Sequence, residues 1–171
     1  MNTKARGDIG EQLAKEYLEE KGYKILFQNK KYAGCEVDII AECYVDESGN
    51  LIRSNHKIAQ RKPSKLLAKI RAFFGVKATK KTFENKSAKG ERTIVFCEVK
   101  TRTDDEHGAP EEAVDGYKKG RYVTAAKAYQ SKYGEQNTAI RFDVIAVEDG
   151  EVVNHIENAF TVNDARYAKR Q

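Results

Sequence analysis

Two strand-like runs of this chain carry acidic residues where a buried strand is normally apolar: Glu36-Val37-Asp38-Ile39-Ile40-Ala41 and Val95-Phe96-Cys97-Glu98-Val99-Lys100. Side chains alternate across a strand with period two. Glu36 and Asp38 are therefore expected on one face of the first strand, and Glu98 and Lys100 on one face of the second. If the strands pair, three carboxylates and one ammonium converge on a single patch of sheet. Carboxylates withdrawn from water need compensation. Oxygen ligands of this kind suit a hard divalent cation such as Mg²⁺, with Mn²⁺ as the alternative. The pattern points to a metal-dependent hydrolase.

In such a site Asp38 and Glu98 are the expected metal ligands, and the Val99 carbonyl can reach the ion from between them. Lys100 would orient or deprotonate the attacking water and stabilise charge developing on a scissile phosphate. Glu36 would be a further ligand or a general base. A plainer reading stands beside this one: Glu98 and Lys100 form an ion pair on a solvated sheet face, and Asp38 ends a strand. A lone Glu-x-Lys occurs by chance in many charged proteins. Two acidic interruptions of apolar, β-branched runs carry more weight.

At 171 residues the chain suits one well-buried core and is short for two ordinary domains. No run approaches the roughly 18 apolar residues of a membrane span, and the first residues, Met1 to Asp8, lack the apolar stretch of a signal peptide. Cys35, Cys43 and Cys97 sit in apolar contexts without zinc-type spacing. They read as reduced structural thiols of a cytoplasmic protein.

Charge is unevenly spread. Residues 53–92 hold thirteen Lys and Arg against Glu84 and Glu91, a net +11 in a chain whose total is +5, so everything else carries −6. A basic block on an acidic body suits a polyanion, either nucleic acid or anionic lipid.

Apolar periodicity predicts a helix over about 4–21, with Ile9, Leu13, Ala14, Tyr17 and Leu18 in one stripe and Gly22 as its C-cap. A strand over 23–27, a turn from Asn29 to Gly34 and a second strand over 36–46 follow, closed by the turn signal Asp46-Glu47-Ser48-Gly49-Asn50. The basic block then interrupts what would otherwise be a hairpin into a strand at 93–101. A polar loop from Thr103 to Pro110 leads to a long helix bearing Tyr122, Ala126, Tyr129 and Tyr133 and ending near Gly134. Strands at 139–147 and 151–156, joined by Glu148-Asp149-Gly150, complete an α-β-β-β-α-β-β order. That order implies a mixed sheet with helices on its faces.

Other polar residues are weaker candidates. Glu11 departs from the apolar stripe of the first helix, where a solvent-facing position is the ordinary expectation. Arg102, Lys118 and Arg121 are single basic residues of the kind that usually face water. Arg141 and Asp143 share a strand face, an arrangement more often an internal ion pair than a catalytic one, and His107 stands alone in the polar loop.

Taken together, the motifs resemble a known family. They begin Gly7-x-x-Gly10-Glu11-x-x-Ala14-x-x-Tyr17-Leu18, Lys21-Gly22-Tyr23-x-Ile25-Leu26-x-x-Asn29 and Glu36-Val37-Asp38-Ile39-Ile40-Ala41. They continue in order with Phe96-Cys97-Glu98-Val99-Lys100-Thr101-Arg102, Pro110-x-x-Ala113-Val114-Asp115-x-x-Lys118, Arg141-Phe142-Asp143-Val144 and Ala159-Phe160. The set resembles the YraN-like uncharacterised family, UPF0102, over nearly all of the chain except about residues 47–92. That family is placed in the restriction-endonuclease-like PD-(D/E)XK superfamily and is similar to archaeal Holliday-junction resolvases. The resemblance implies a three-layer α/β/α nuclease core with a mixed central sheet. It also implies Asp38, Glu98 and Lys100 on the catalytic positions, Glu11 on the helical acidic position near the metal, and Lys118 as a basic residue opening the long helix. This chain departs from the family twice. Cys35 stands where a Gly usually precedes the first strand acid, and a basic insertion of roughly forty residues occupies a normally short hairpin between the second and third strands.

Within the insertion, Ser64 can cap a helix over about 64–74, and Leu66, Leu67, Ile70, Phe73 and Phe74 fall on one side of it, flanked by Lys62, Lys65, Lys69 and Arg71. A basic amphipathic helix of this kind can pack on its own domain, on a partner or second subunit of a homodimer, or on an anionic membrane surface. Lys77, Lys80 and Lys81, and the run from Lys86 to Arg92, have no apolar period and suit contact with nucleic acid.

The expectation is therefore a single nuclease-like domain over residues 1–171. Its most concrete function is that of a divalent-metal-dependent DNA phosphodiesterase acting on branched or single-stranded DNA. Two alternatives are a non-catalytic nucleic-acid-binding module and a membrane- or partner-binding protein acting through residues 53–92.

Overall fold

A computed structural model describes residues 3–52, 90–102 and 115–167. The predicted helix at 64–74, the basic positions Lys77, Lys80 and Lys81, and His107 lie outside the described residues. The described chain is a mixed α/β structure built on one six-stranded sheet.

Helix α1 (Thr3–Lys21) stops at Gly22, whose φ of 101° suits a residue without a Cβ. The Gly22 amide donates to the Glu19 carbonyl and the Tyr23 amide to the Leu18 carbonyl, both at 3.0 Å. This pairing satisfies the last carbonyls of the helix. Strand β1 (Lys24–Tyr32) then pairs antiparallel with β2 (Cys35–Val45). The expected turn at Asn29–Gly34 shrinks to Ala33-Gly34, both at positive φ (48° and 77°), the backbone of a tight two-residue hairpin. Asn29 stays inside β1, with φ 48°, as a local irregularity rather than a turn.

A two-residue strand β3 (Leu51–Ile52) pairs with the end of β2. The turn before it is held by the Asp46 carboxylate, which accepts from the Ser48 amide at 2.9 Å and the Asn50 amide at 2.8 Å. Strand β4 (Glu91–Arg102) runs antiparallel to β2 on its other side. Gly90 opens it because a Cβ there would come within 2.7 Å of the Val45 carbonyl oxygen and 2.5 Å of Ile52 Cδ1. Helix α2 (Gly116–Tyr133) crosses to β5 (Ala139–Glu148), parallel to β4, and Asp149-Gly150 turns the chain into the antiparallel β6 (Glu151–Phe160). The sheet order is β1-β2-β4-β5-β6, with β3 on β2.

The last strand runs four residues past the expected Ile156. A short helix α3 (Val162–Tyr167) follows that the apolar pattern does not announce. Its signal is Thr161-x-x-Asp164, in which the Asp164 carboxylate accepts from the Thr161 amide at 2.6 Å and hydroxyl at 2.9 Å.

Central strands covered on both faces read as continuous apolar runs, and Ile94-Val95-Phe96-Cys97 is buried throughout. One face takes Leu13, Ala14 and Leu18 of α1 against Ile39, Ala41, Val95, Cys97 and Ile145. The other takes Tyr122, Ala126 and Tyr129 of α2 against Val37, Ile40, Phe96, Phe142 and Val144. Cys35, Cys43 and Cys97 are all free and buried. Among the described residues no helix is long and apolar enough to cross a membrane.

Candidate active site

The β2–β4 ladder runs from Val45 opposite Glu91 to Ile39 opposite Cys97 and ends there. One residue further, the Asp38 carboxylate takes the place of a ladder carbonyl: its Oδ2 accepts from the Val99 amide at 2.8 Å. The strand changes facing at this point. Val37 packs in the core under α2 whereas Ile39, two residues on, packs in the core under α1. Opposite, between the pairs Gln28–Ile39 and Lys30–Val37, lies the irregular Asn29.

Glu98 is buried, its side chain only 3% exposed, and both of its oxygens are held. Lys118 and Lys100 share Oε1, Lys100 at 3.0 Å, and the Tyr122 hydroxyl donates to Oε2 at 2.6 Å. Glu98 and Lys100 share a strand face, as alternation requires. Lys118 and Tyr122 lie four residues apart on α2, the spacing that puts two side chains on one helix face. Asp115 fixes the start of α2 by accepting from the Lys118 amide at 2.6 Å.

The two carboxylates respond oppositely. Burial, with the negative charge of Glu98 nearby, pushes Asp38 up to about 7 against the opposing pull of the Val99 amide and Lys118. Burial also acts to raise Glu98, but hydrogen bonds from Lys118 and Tyr122, with the attraction of Lys118 and Lys100, outweigh it and hold Glu98 below the usual carboxylate range. Pairs of acids driven apart in this way are common where one must be protonated and the other charged.

Glu11 belongs to the same electrostatic neighbourhood. Burial raises its pKa, the Asn29 amide opposes this, and Asp8, Glu36 and Glu98 raise it further. Gly10 is what lets α1 come so close: a Cβ at that position would lie 1.9 Å from the Thr101 Oγ1 of β4. Glu36 stands at the margin. Its carboxylate is half exposed and pairs with Lys31 at 3.3 Å, so shared alternation with Asp38 does not carry it into the cluster. Arg121 donates to the Gly34 carbonyl oxygen at 2.5 Å, and Arg102 is half-buried at the end of β4. Among the described residues no group of three or more His, Cys, Asp or Glu converges as a metal cage.

Tyr122, which the sequence places only on the long helix, belongs both to the core under α2 and, through its hydroxyl, to the site. The usable signal was Lys118-x-x-x-Tyr122, two polar-tipped side chains one turn apart. A second polar cluster lies under α1. Asp143, fully buried, accepts from Arg141 at 2.8 and 2.9 Å and from the Asn158 amide at 3.0 Å, and lies 2.9 Å from His155 Nε2. Arg141 also reaches Tyr23 at 2.6 Å and Glu157 at 2.9 Å. The Arg141–Asp143 pair is thus the internal ion pair expected from its strand position.

Comparison of the whole chain with known proteins identifies a family. The description "Uncharacterised protein family UPF0102" matches residues 10–147. The chain belongs to that family. The UPF0102 protein of Caldanaerobacter subterraneus subsp. tengcongensis is 32% identical over 166 residues, covering 94% of this chain and 98% of that protein. The UPF0102 protein of Clostridioides difficile is 33% identical over 161 residues, covering 94% and 100%. That of Alkaliphilus oremlandii is 35% identical over 166 residues, again covering 94% and 100%.

Proposed function

We propose that this UPF0102 protein is a divalent-metal-dependent DNA phosphodiesterase of the restriction-endonuclease-like PD-(D/E)XK kind, acting on branched or single-stranded DNA. The observation that carries the reading is the pairing of Asp38, pushed up to about 7, with Glu98, held charged by Lys100, Lys118 and Tyr122 where β2 and β4 part.

The donor set fits a hard cation. Half-buried Asp38 and buried Glu98 are oxygen donors that repel each other, and a divalent ion would relieve that repulsion. Mg²⁺ ordinarily keeps several waters and takes only one or two carboxylates, so Asp38 and Glu98 with the Val99 carbonyl would suffice, and Glu11, within electrostatic reach of both acids, would act through water. Bound there, Mg²⁺ or Mn²⁺ would supply Lewis acidity toward the phosphate and acidify water.

The chain's own groups do the rest. Lys100, anchored on Glu98, would orient the attacking water and meet the charge that develops on the phosphate. Lys118 would hold a non-bridging oxygen or keep Glu98 ionised. Water would give up a proton and add to phosphorus, the bond to the leaving oxygen would break, and that oxygen would take up a proton. Arg102, Lys118 and Arg121, with Lys77, Lys80 and Lys81 of the basic segment, would hold the backbone.

A second reading is favoured by one observation. Glu98 is already satisfied by two ammonium groups and a phenol, which suits a nucleic-acid-binding module that keeps the scaffold without turnover. Incubating the protein with junction, flap, single-stranded and duplex DNA, in Mg²⁺ and in Mn²⁺, separates the two. Cleavage of junction, flap or single-stranded DNA, abolished by chelator, supports the phosphodiesterase. Binding without cleavage supports the module.

A further inference from the structure

Tyr117 has the highest exposure of the large hydrophobic side chains among the described residues, at 77%. It is the second residue of α2 and the immediate neighbour of Lys118, whose ammonium sits on Glu98. Four residues on, the Arg121 guanidinium lies 5.9 Å from the Tyr117 ring centroid. Arg121 is itself anchored, since its Nη2 donates to the Gly34 carbonyl oxygen in the β1–β2 turn. Ring and guanidinium therefore lie side by side, the guanidinium held on Gly34 and the ring one residue along α2 from the Lys118 that holds Glu98. The first turn of α2 holds no acidic residue, and Lys118, Lys119 and Arg121 make its surroundings cationic.

We propose that Tyr117, backed by Arg121, is a stacking shelf for an unpaired nucleobase of DNA next to the phosphate that Glu98 and Lys100 address, and that it favours single-stranded over duplex segments. This rests on the nucleic-acid reading above and names the part of the substrate that the site recognises. In a duplex the faces of each base are covered by its neighbours. An unpaired base offers a free π-face to an aromatic side chain. The guanidinium beside the ring adds attraction for the base and for the phosphate that follows it.

The chain contains no tryptophan, so a Tyr117→Trp variant excited at the red edge of the indole band carries a single tryptophan reporter at the shelf. Binding is measured in chelator, and again with Ca²⁺, to a short oligothymidylate, to an abasic oligonucleotide of the same length and charge, and to a duplex. Tyr117→Leu is expected to weaken oligothymidylate binding about tenfold, to leave duplex binding nearly unchanged, and to be rescued by Tyr117→Phe. The emission of the Tyr117→Trp variant is expected to be quenched by oligothymidylate and not by the abasic strand. Equal oligothymidylate binding by wild type and Tyr117→Leu, or equal quenching by both strands, overturns the shelf and leaves the nucleic-acid reading standing. If wild type binds none of these DNAs under either condition, the shelf and the nucleic-acid reading fall together.

Discussion

The Tyr122 hydroxyl donates to Glu98 Oε2 at 2.6 Å from a fully buried ring, across the interface between α2 and β4. The bond joins the helix to the strand and supplies a buried carboxylate with a neutral donor. Tyr122→Phe keeps the packing and removes the donor. A hydrogen bond to a charged group is worth about 1.5–3 kcal/mol, so the variant is expected to lose stability of that order in urea unfolding. It is also expected to cleave DNA more slowly, because Glu98 loses its anchor. An unchanged unfolding midpoint would show that the phenol does not hold this carboxylate.

Asp38 gives a pH-dependent expectation. Its folded pKa, about 7, lies above its ordinary value of 3.8, chiefly through burial and then through Glu98. The native state therefore holds this proton more tightly than the unfolded chain does. The resulting stability is fully present below the unfolded value and is lost as pH rises through about 7. Asn at this position has no proton to lose, and its carbonyl can still accept from the Val99 amide. With chelator present, Asp38→Asn is expected to raise Tm above wild type at about pH 8, with the gap narrowing steadily toward about pH 4. A gap that is constant with pH, or reversed at the alkaline end, would show that Asp38 is not a desolvated, repelled carboxylate.

Gly10 sets how close α1 comes to β4. A methyl group there would collide with Thr101 Oγ1, and overpacking of this kind costs about 1–3 kcal/mol. Gly10→Ala should lower Tm, and adding Thr101→Ala should recover part of the loss, since contacting residues couple in a double-mutant cycle. Strictly additive effects would place the two residues out of contact.

Much of this architecture was legible in the chain. The Asp149-Gly150 turn, the Gly22 and Gly134 helix ends and the buried run from Ile94 to Cys97 each carry a local signal with one physical meaning. Convergence of Asp38 and Glu98 was expected only on condition that the two acid-bearing strands pair, and they do. What could not be read depends on departures from period. Asn29-Lys30-Lys31 looks like a turn because it is polar, yet it is the exposed edge of β1, where lysines are the usual protection. Glu36 and Asp38 alternate on paper, but the strand changes facing at Asp38, and Glu36 goes instead to Lys31. Tyr122 reads as one more apolar position of α2 because only the fold reveals that its hydroxyl ends on Glu98. His155 likewise has no sequence partner; Asp143 meets it across the β5–β6 pair.

The most direct test of the site is the rate of junction, flap or single-stranded DNA cleavage in Mg²⁺, measured under single turnover for wild type, Asp38→Asn, Glu98→Gln and Lys100→Ala at equal folded fraction. Asp38→Asn and Glu98→Gln are expected to abolish cleavage. Lys100→Ala is expected to lower the rate with DNA binding intact, the signature of a contact made in the transition state. Wild-type rates from Asp38→Asn and Glu98→Gln, or a Lys100→Ala variant that loses only thermal stability, would contradict the account and return Glu98 and Lys100 to a structural ion pair.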